Sequence, residues 1–142
     1  MYRRVMRDGQ SIDDNSPAKH LHELRKECKK LRYLMEFFRS LYPEEKISQL
    51  IKSLKQLLEN LGNFQDLEVQ ADTLRDYARQ MVEEGEPPHD TLLAMGMLVD
   101  GLLSRQQQAR EQFTDCFALF SKRENQKIFQ TLFAPINKKG KE

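Results

Sequence analysis

Leu21-His22-Glu23-Leu24-Arg25-Lys26-Glu27-Cys28-Lys29-Lys30-Leu31-Arg32-Tyr33-Leu34-Met35-Glu36-Phe37 is the stretch whose reading decides the fold. Leu24, Cys28, Leu31, Leu34, Met35 and Phe38 recur at steps of three and four residues, the period of a helix with one apolar face. The spacing predicts a helix from about Ala18 to Leu41, stopped by Pro43. Asn15 or Ser16 can cap its start, with Pro17 in the first helical position.

The same period extends outward from this segment. Upstream, residues 1–8 read as a short helix ended by Gly9, followed by a polar loop from Gln10 to Pro17. Downstream, Leu50, Ile51, Leu54, Leu57, Leu58 and Leu61 predict a helix over about Glu45 to Leu61, with Gly62 as its stop. Leu67, Ala71, Leu74, Ala78 and Met81 form a bundle-type seam on a further helix, about Phe64 to Glu84. Gly85 to Pro88 breaks the pattern, and Asp90 can cap a helix reaching about Ser121. That helix carries a stripe ending in Phe113, Phe117 and Phe120, which read as core; Gln106 and Arg110 interrupt it, read first as a change of facing near a bundle end and otherwise as a buried polar network or a second strip of an anion site. Ile128, Phe129, Leu132 and Phe133 predict a short last helix, and the lysine-rich tail from Lys138 is expected to fray. The expected fold is all-α: an antiparallel four-helix bundle with a short extra C-terminal helix, one domain over residues 1–142.

Composition agrees. The chain is 39% hydrophobic and 32% charged, lacks tryptophan and is poor in valine, so strand-forming enrichment is missing. A formal net charge of +1 says nothing about an acidic partner, so that argument must come from local clustering. Cys28 and Cys116 read as small buried hydrophobes in a reducing compartment. No apolar run approaches the ~20 residues that cross a bilayer, and Met1-Tyr2-Arg3-Arg4-Val5 lacks a signal-type apolar segment. The expected location is the cytoplasm.

The charges of the predicted first long helix are segregated. At about 100° per residue, Arg25, Lys26, Lys29, Arg32 and Tyr33 all fall within roughly 80° of His22, while the apolar residues centre about 190° away. Glu36 alone intrudes among the bases. Spacing puts like charges four residues apart at Glu23–Glu27 and Lys26–Lys30, a repulsion of roughly 0.2–0.5 kcal/mol each that a polyanion along the face would reverse. Arginine suits such a ligand because its planar fork grips phosphate oxygens in pairs. Against this stands the common case of a plain solvated face, which periodicity alone favours.

The residues then add a resemblance. The string from Leu21 to Phe37 resembles the signature of the CHAD family, the conserved-histidine α-helical domain: a histidine, Arg-Lys three residues on, Lys, then Leu-Arg-Tyr and an acid. Leu61-Gly62 followed by Asp66-Leu67 is similar to the family's shorter signature, with Gln65 a departure, and Tyr2 to Gly9 is similar to the basic segment before the histidine motif. The resemblance implies a pair of four-helix bundles whose basic residues hold inorganic polyphosphate between them, as a binding module associated with polyphosphate granules. It assigns the binding role to His22, Arg25, Lys26, Lys29 and Arg32, and less directly to Arg3, Arg4 and Arg7. This chain has room for one bundle and matches the C-terminal one. The expectation is therefore a missing N-terminal half, or two copies that pair as a homodimer to rebuild the site.

Other functions rank lower. Nucleic-acid or other polyanion binding by the same face has only Tyr33 for base stacking. His20 and His22, about 200° apart on a helix, cannot share a metal, and His89 reads as loop beside two prolines. Asp66 is expected to favour the start of the Phe64 helix, and an Asp66–Glu68 catalytic pair ranks low. No nucleophile–base pair or Gly-rich phosphate loop is present, so neither cofactor, metal nor enzymatic activity is expected. A helical bundle that docks on another protein is the remaining alternative.

Overall fold

A computed structural model describes residues 1–133, and these are all helix and connecting turns. The elements are α1 (Tyr2–Gln10), α2 (Ala18–Phe37), a 3-10 turn (Arg39–Leu41), α3 (Glu44–Glu84), α4 (His89–Phe120) and α5 (Arg123–Phe133). The lysine-rich tail expected to fray lies outside the described residues.

The largest departure from expectation is α3. Two helices divided at Gly62 are one helix of 41 residues. A glycine inside a helix costs about 1 kcal/mol relative to alanine. Here Leu57, Leu58, Leu61, Phe64 and Leu67 are all buried on either side of Gly62, and each fully buried side chain of this size contributes roughly 1.5–3 kcal/mol. Continuity wins by a wide margin. Gly9 was likewise expected to end α1, but the helix runs to Gln10 with Gly9 buried inside it. A Cβ at Gly9 would stand 2.1 Å from the Phe117 ring, so this glycine lets α1 lie directly on α4.

The bundle keeps its four-helix character with different members. The first part of α3 and the last part of α4 pack together, α2 and α1 close the ring, and α5 caps one end. Val5, Leu24, Cys28, Leu31, Leu54, Leu61, Phe113 and Phe120 belong to one continuous core. Tyr2 stacks on Phe129 with ring centroids 3.7 Å apart. Asn125, fully buried, donates to Leu119 O, Phe120 O and Ser53 Oγ and accepts from Gln49, which fixes the α4–α5 corner. Arg110, expected as a mere change of facing, donates to Ser16 O at 2.6 Å and Asp13 O at 3.3 Å and lies over Phe64. It pins the loop before α2 to the bundle.

Beyond Ala71 in α3 and before Ala109 in α4 no residue is fully buried. There the two helices continue alone as an antiparallel arm, about 20 Å past the last buried residue of α3. Its seam is the predicted one, Leu74, Ala78 and Met81 against Leu92, Met95 and Val99, all half-buried. Helix starts differ in detail from expectation. Pro17 and Pro88 occupy the cap positions of α2 and α4, without side-chain caps from Asn15, Ser16 or Asp90. Ser16 and Asp13 bond each other instead. Among the described residues no helix is long and apolar enough to cross a membrane.

Candidate anion-binding groove

The basic residues of α2 were expected to point away from the core, with Glu36 as the one acid among them. The structure turns them sideways. Packed between α1 and α3, α2 has a neighbour on each flank, and Arg25, Lys29 and Arg32 lie half-buried along the flank that meets α3. Antiparallel packing runs Lys55, Glu59, Gln65 and Glu68 of α3 past them. The result is an open groove of about 440 Å³ lined by Arg25, Lys29, Arg32 and Tyr33 of α2 and Lys55, Leu58 and Glu59 of α3.

Arg25 Nη1 donates to Gln65 Oε1 at 3.3 Å, and its buried Nε has no partner. Gly62 lies beneath it: a Cβ there would be 3.6 Å from Arg25 Nε, an ordinary contact that an alanine could also make. Arg32 Nε donates to Glu36 at 3.4 Å, and Lys55 Nζ lies 3.8 Å from the same carboxylate oxygen. Glu36 thus bridges two cations at one end of the groove. At the other end His22 Nε2 and Glu68 Oε2 are 2.5 Å apart. All of these groups are partly solvated, a setting in which an ion pair contributes about 0–1 kcal/mol. An incoming anion can therefore displace Glu36 at little cost.

The expectation that Glu36 alone intrudes among the bases is corrected on three counts. Glu68 engages His22, Glu23 holds Lys26 at 3.3 Å, and Glu27 holds Lys30 at 3.3 Å. The like charges four residues apart do not face each other unrelieved, because each lysine finds an acid three residues back. Lys26 stands exposed on the outer rim and His20 is exposed beyond the groove. Arg3, Arg4 and Arg7 are not brought to the groove. Arg4 sits 4.0 Å from Glu27, on a flank of α2 about 160° around from Lys29. Arg3 borders an apolar cavity with Leu31, Leu34 and Phe133. Asp66 cannot serve a helix start, since it lies exposed within α3.

Lys55 and Glu59 were missed in the sequence. Their only signal is a place beside buried Leu54 and Leu58, which does not say which helix they face. Cys28 is buried and unbonded, with its thiol pushed up to about 12 by burial and then by Glu27. Cys116 is also unbonded. Among the described residues no three His, Cys, Asp or Glu side chains are grouped to hold a metal ion.

The sequence model of one family, described as the CHAD domain, matches residues 1–75, more than half of the chain. The chain belongs to the CHAD family. The matched region contains α1, α2 and the groove-bearing part of α3, so every groove residue of this CHAD chain falls within it. Most of the arm and all of α4 and α5 lie beyond the match. Among curated proteins, none matched this CHAD chain.

Proposed function

We propose that this CHAD chain is a binding module for inorganic polyphosphate, held along the α2–α3 groove. The observation that carries the reading is the convergence of Arg25, Lys29, Arg32 and Lys55 on one open trough. Family membership supports it, because binding polyphosphate is what the resemblance implied. Successive cations on α2 are about 4.5–6 Å apart along the helix axis, so a chain of phosphates laid on the groove meets one after another. Arg25 and Arg32 present paired N–H groups to phosphate oxygens, and Lys29 and Lys55 act as point charges. Binding releases condensed counterions, as it does for nucleic acids. Tyr33 is the one aromatic residue in the groove lining, too few for base stacking to favour RNA. No catalytic step is part of this reading.

The test is a triple variant, Arg25→Ala, Lys29→Ala and Arg32→Ala, titrated with long-chain polyphosphate by calorimetry. Helicity is expected to be unchanged and binding lost. Retained binding refutes the groove assignment. RNA at equal phosphate concentration should compete poorly; equal competition makes the site a general polyanion binder. Incubation with polyphosphate and magnesium should release no orthophosphate, and release would make the chain an enzyme.

A further inference from the structure

His22 lies at one end of the groove but is not part of its lining. Its ring packs on buried Phe64, with ring centroids 5.9 Å apart. Neither ring nitrogen is open to a ligand. Nδ1 is buried with no hydrogen-bond partner among the described residues, and Nε2 meets Glu68 Oε2 at 2.5 Å. A phosphate can contact the ring only by displacing a carboxylate from it.

Glu68 depends on the same contact. Residues three and four positions apart are neighbours on a helix surface. For Glu68 these are Phe64, Gln65, Ala71 and Asp72, with no base among them. Among the described residues His22 is its one hydrogen-bonded partner. One turn away on α3, Gln65 Oε1 accepts from Arg25 Nη1 at 3.3 Å. That is a long bond to a neutral acceptor, and a carboxylate holds a guanidinium about twice as strongly. Released from His22, Glu68 would turn to Arg25 and occupy the place meant for a phosphate.

We propose that His22 is a positioning residue and not a phosphate ligand: it holds Glu68 away from Arg25, so that the first arginine of the groove stays open to an anion. The other end of the groove shows what happens without such a residue. There one carboxylate, Glu36, bridges Arg32 and Lys55. The placing of Glu68 stands whatever the anion; its effect on affinity rests on the polyphosphate reading.

The test compares His22→Leu, His22→Gln and the double variant His22→Leu with Glu68→Gln, at one pH, by calorimetric titration with long-chain polyphosphate. Leucine packs on Phe64 but leaves Glu68 loose, so affinity should fall about 3–10-fold. Glutamine keeps an amide N–H for Glu68, so His22→Gln should bind within about twofold of the wild type. The double variant should recover wild-type affinity, because no carboxylate is released. If His22→Gln loses as much as His22→Leu and the double variant recovers nothing, His22 is itself a ligand and the proposal falls. Undiminished binding by His22→Leu overturns it as well. Gln65→Glu leaves His22 intact and puts a carboxylate on Arg25; it should weaken binding by a similar factor, and unchanged affinity refutes the competition. A measurement without ligand separates this inference from the polyphosphate reading. In proton–nitrogen NMR the Arg25 Nε–H resonance should move in His22→Leu and return in the double variant. No movement overturns the placing of Glu68. Movement as expected, with no binding by the wild type, upholds that placing and refutes polyphosphate alone.

Discussion

Replacing Lys55 with alanine removes one of four groove cations, the only one supplied by α3. Its one ion pair among the described residues, to Glu36, is half exposed, so stability should change by less than about 1 kcal/mol. The effect on binding is separable and is best read as a salt slope. For single strands the slope of log K against log salt is about −0.7 per neutralised phosphate. Four contacts give about −2.8, so affinity should fall roughly 50-fold between 50 and 200 mM salt. Three contacts give about −2.1 and roughly a 20-fold fall over the same range. Fluorescence titrations with labelled polyphosphate at several salt concentrations measure both slopes. A wild-type slope shallower than about −1 refutes multivalent groove binding. An unchanged slope in Lys55→Ala refutes the participation of α3.

Glu36→Gln removes the carboxylate that holds Arg32 and Lys55, so polyphosphate should bind about 3–10-fold tighter at low salt, with the gain fading as salt rises; calorimetry across salt checks this, and weaker binding contradicts it. Gly9→Ala drives a methyl group into the Phe117 ring and should cost about 1–3 kcal/mol, read as a lowered melting temperature. An unchanged temperature would mean that α1 does not seat on α4. Cys28 titrates at about 12 when folded against 9.0 for an ordinary thiol. The unfolded chain therefore loses this proton first, and the thiol's contribution to stability declines as pH rises from the lower value to the higher. In the native protein near neutral pH, an alkylating reagent should label Cys116 well before Cys28, as peptide mass spectrometry would show.

Much of the fold could be read from residue periodicity because α2, α4 and α5 each carry one apolar face at helical spacing. The two glycine errors share a cause. Gly62 and Gly9 are common stop signals locally, but their packing is set by residues distant in sequence: Phe117 against Gly9, and Arg25 above Gly62. The alignment of Arg25, Lys29 and Arg32 follows from the helix alone. What they face does not, because no single helix tells which flank of its neighbour it meets. Lys55, Glu59 and the Glu68 contact to His22 were hidden for that reason. Arg4 was grouped with the α2 bases on the resemblance alone, and it lies beside Glu27 on another flank of α2.

Because α3 is unbroken from Glu44 to Glu84, it acts as a common shaft for the trough and the arm. Its rotational phase is set once. Deleting a single residue after Phe64 would swing the arm by about 100° and draw it in by about 1.5 Å, leaving Lys55 where it stands. The chain thus fixes, by length alone, the angle between the groove and the arm.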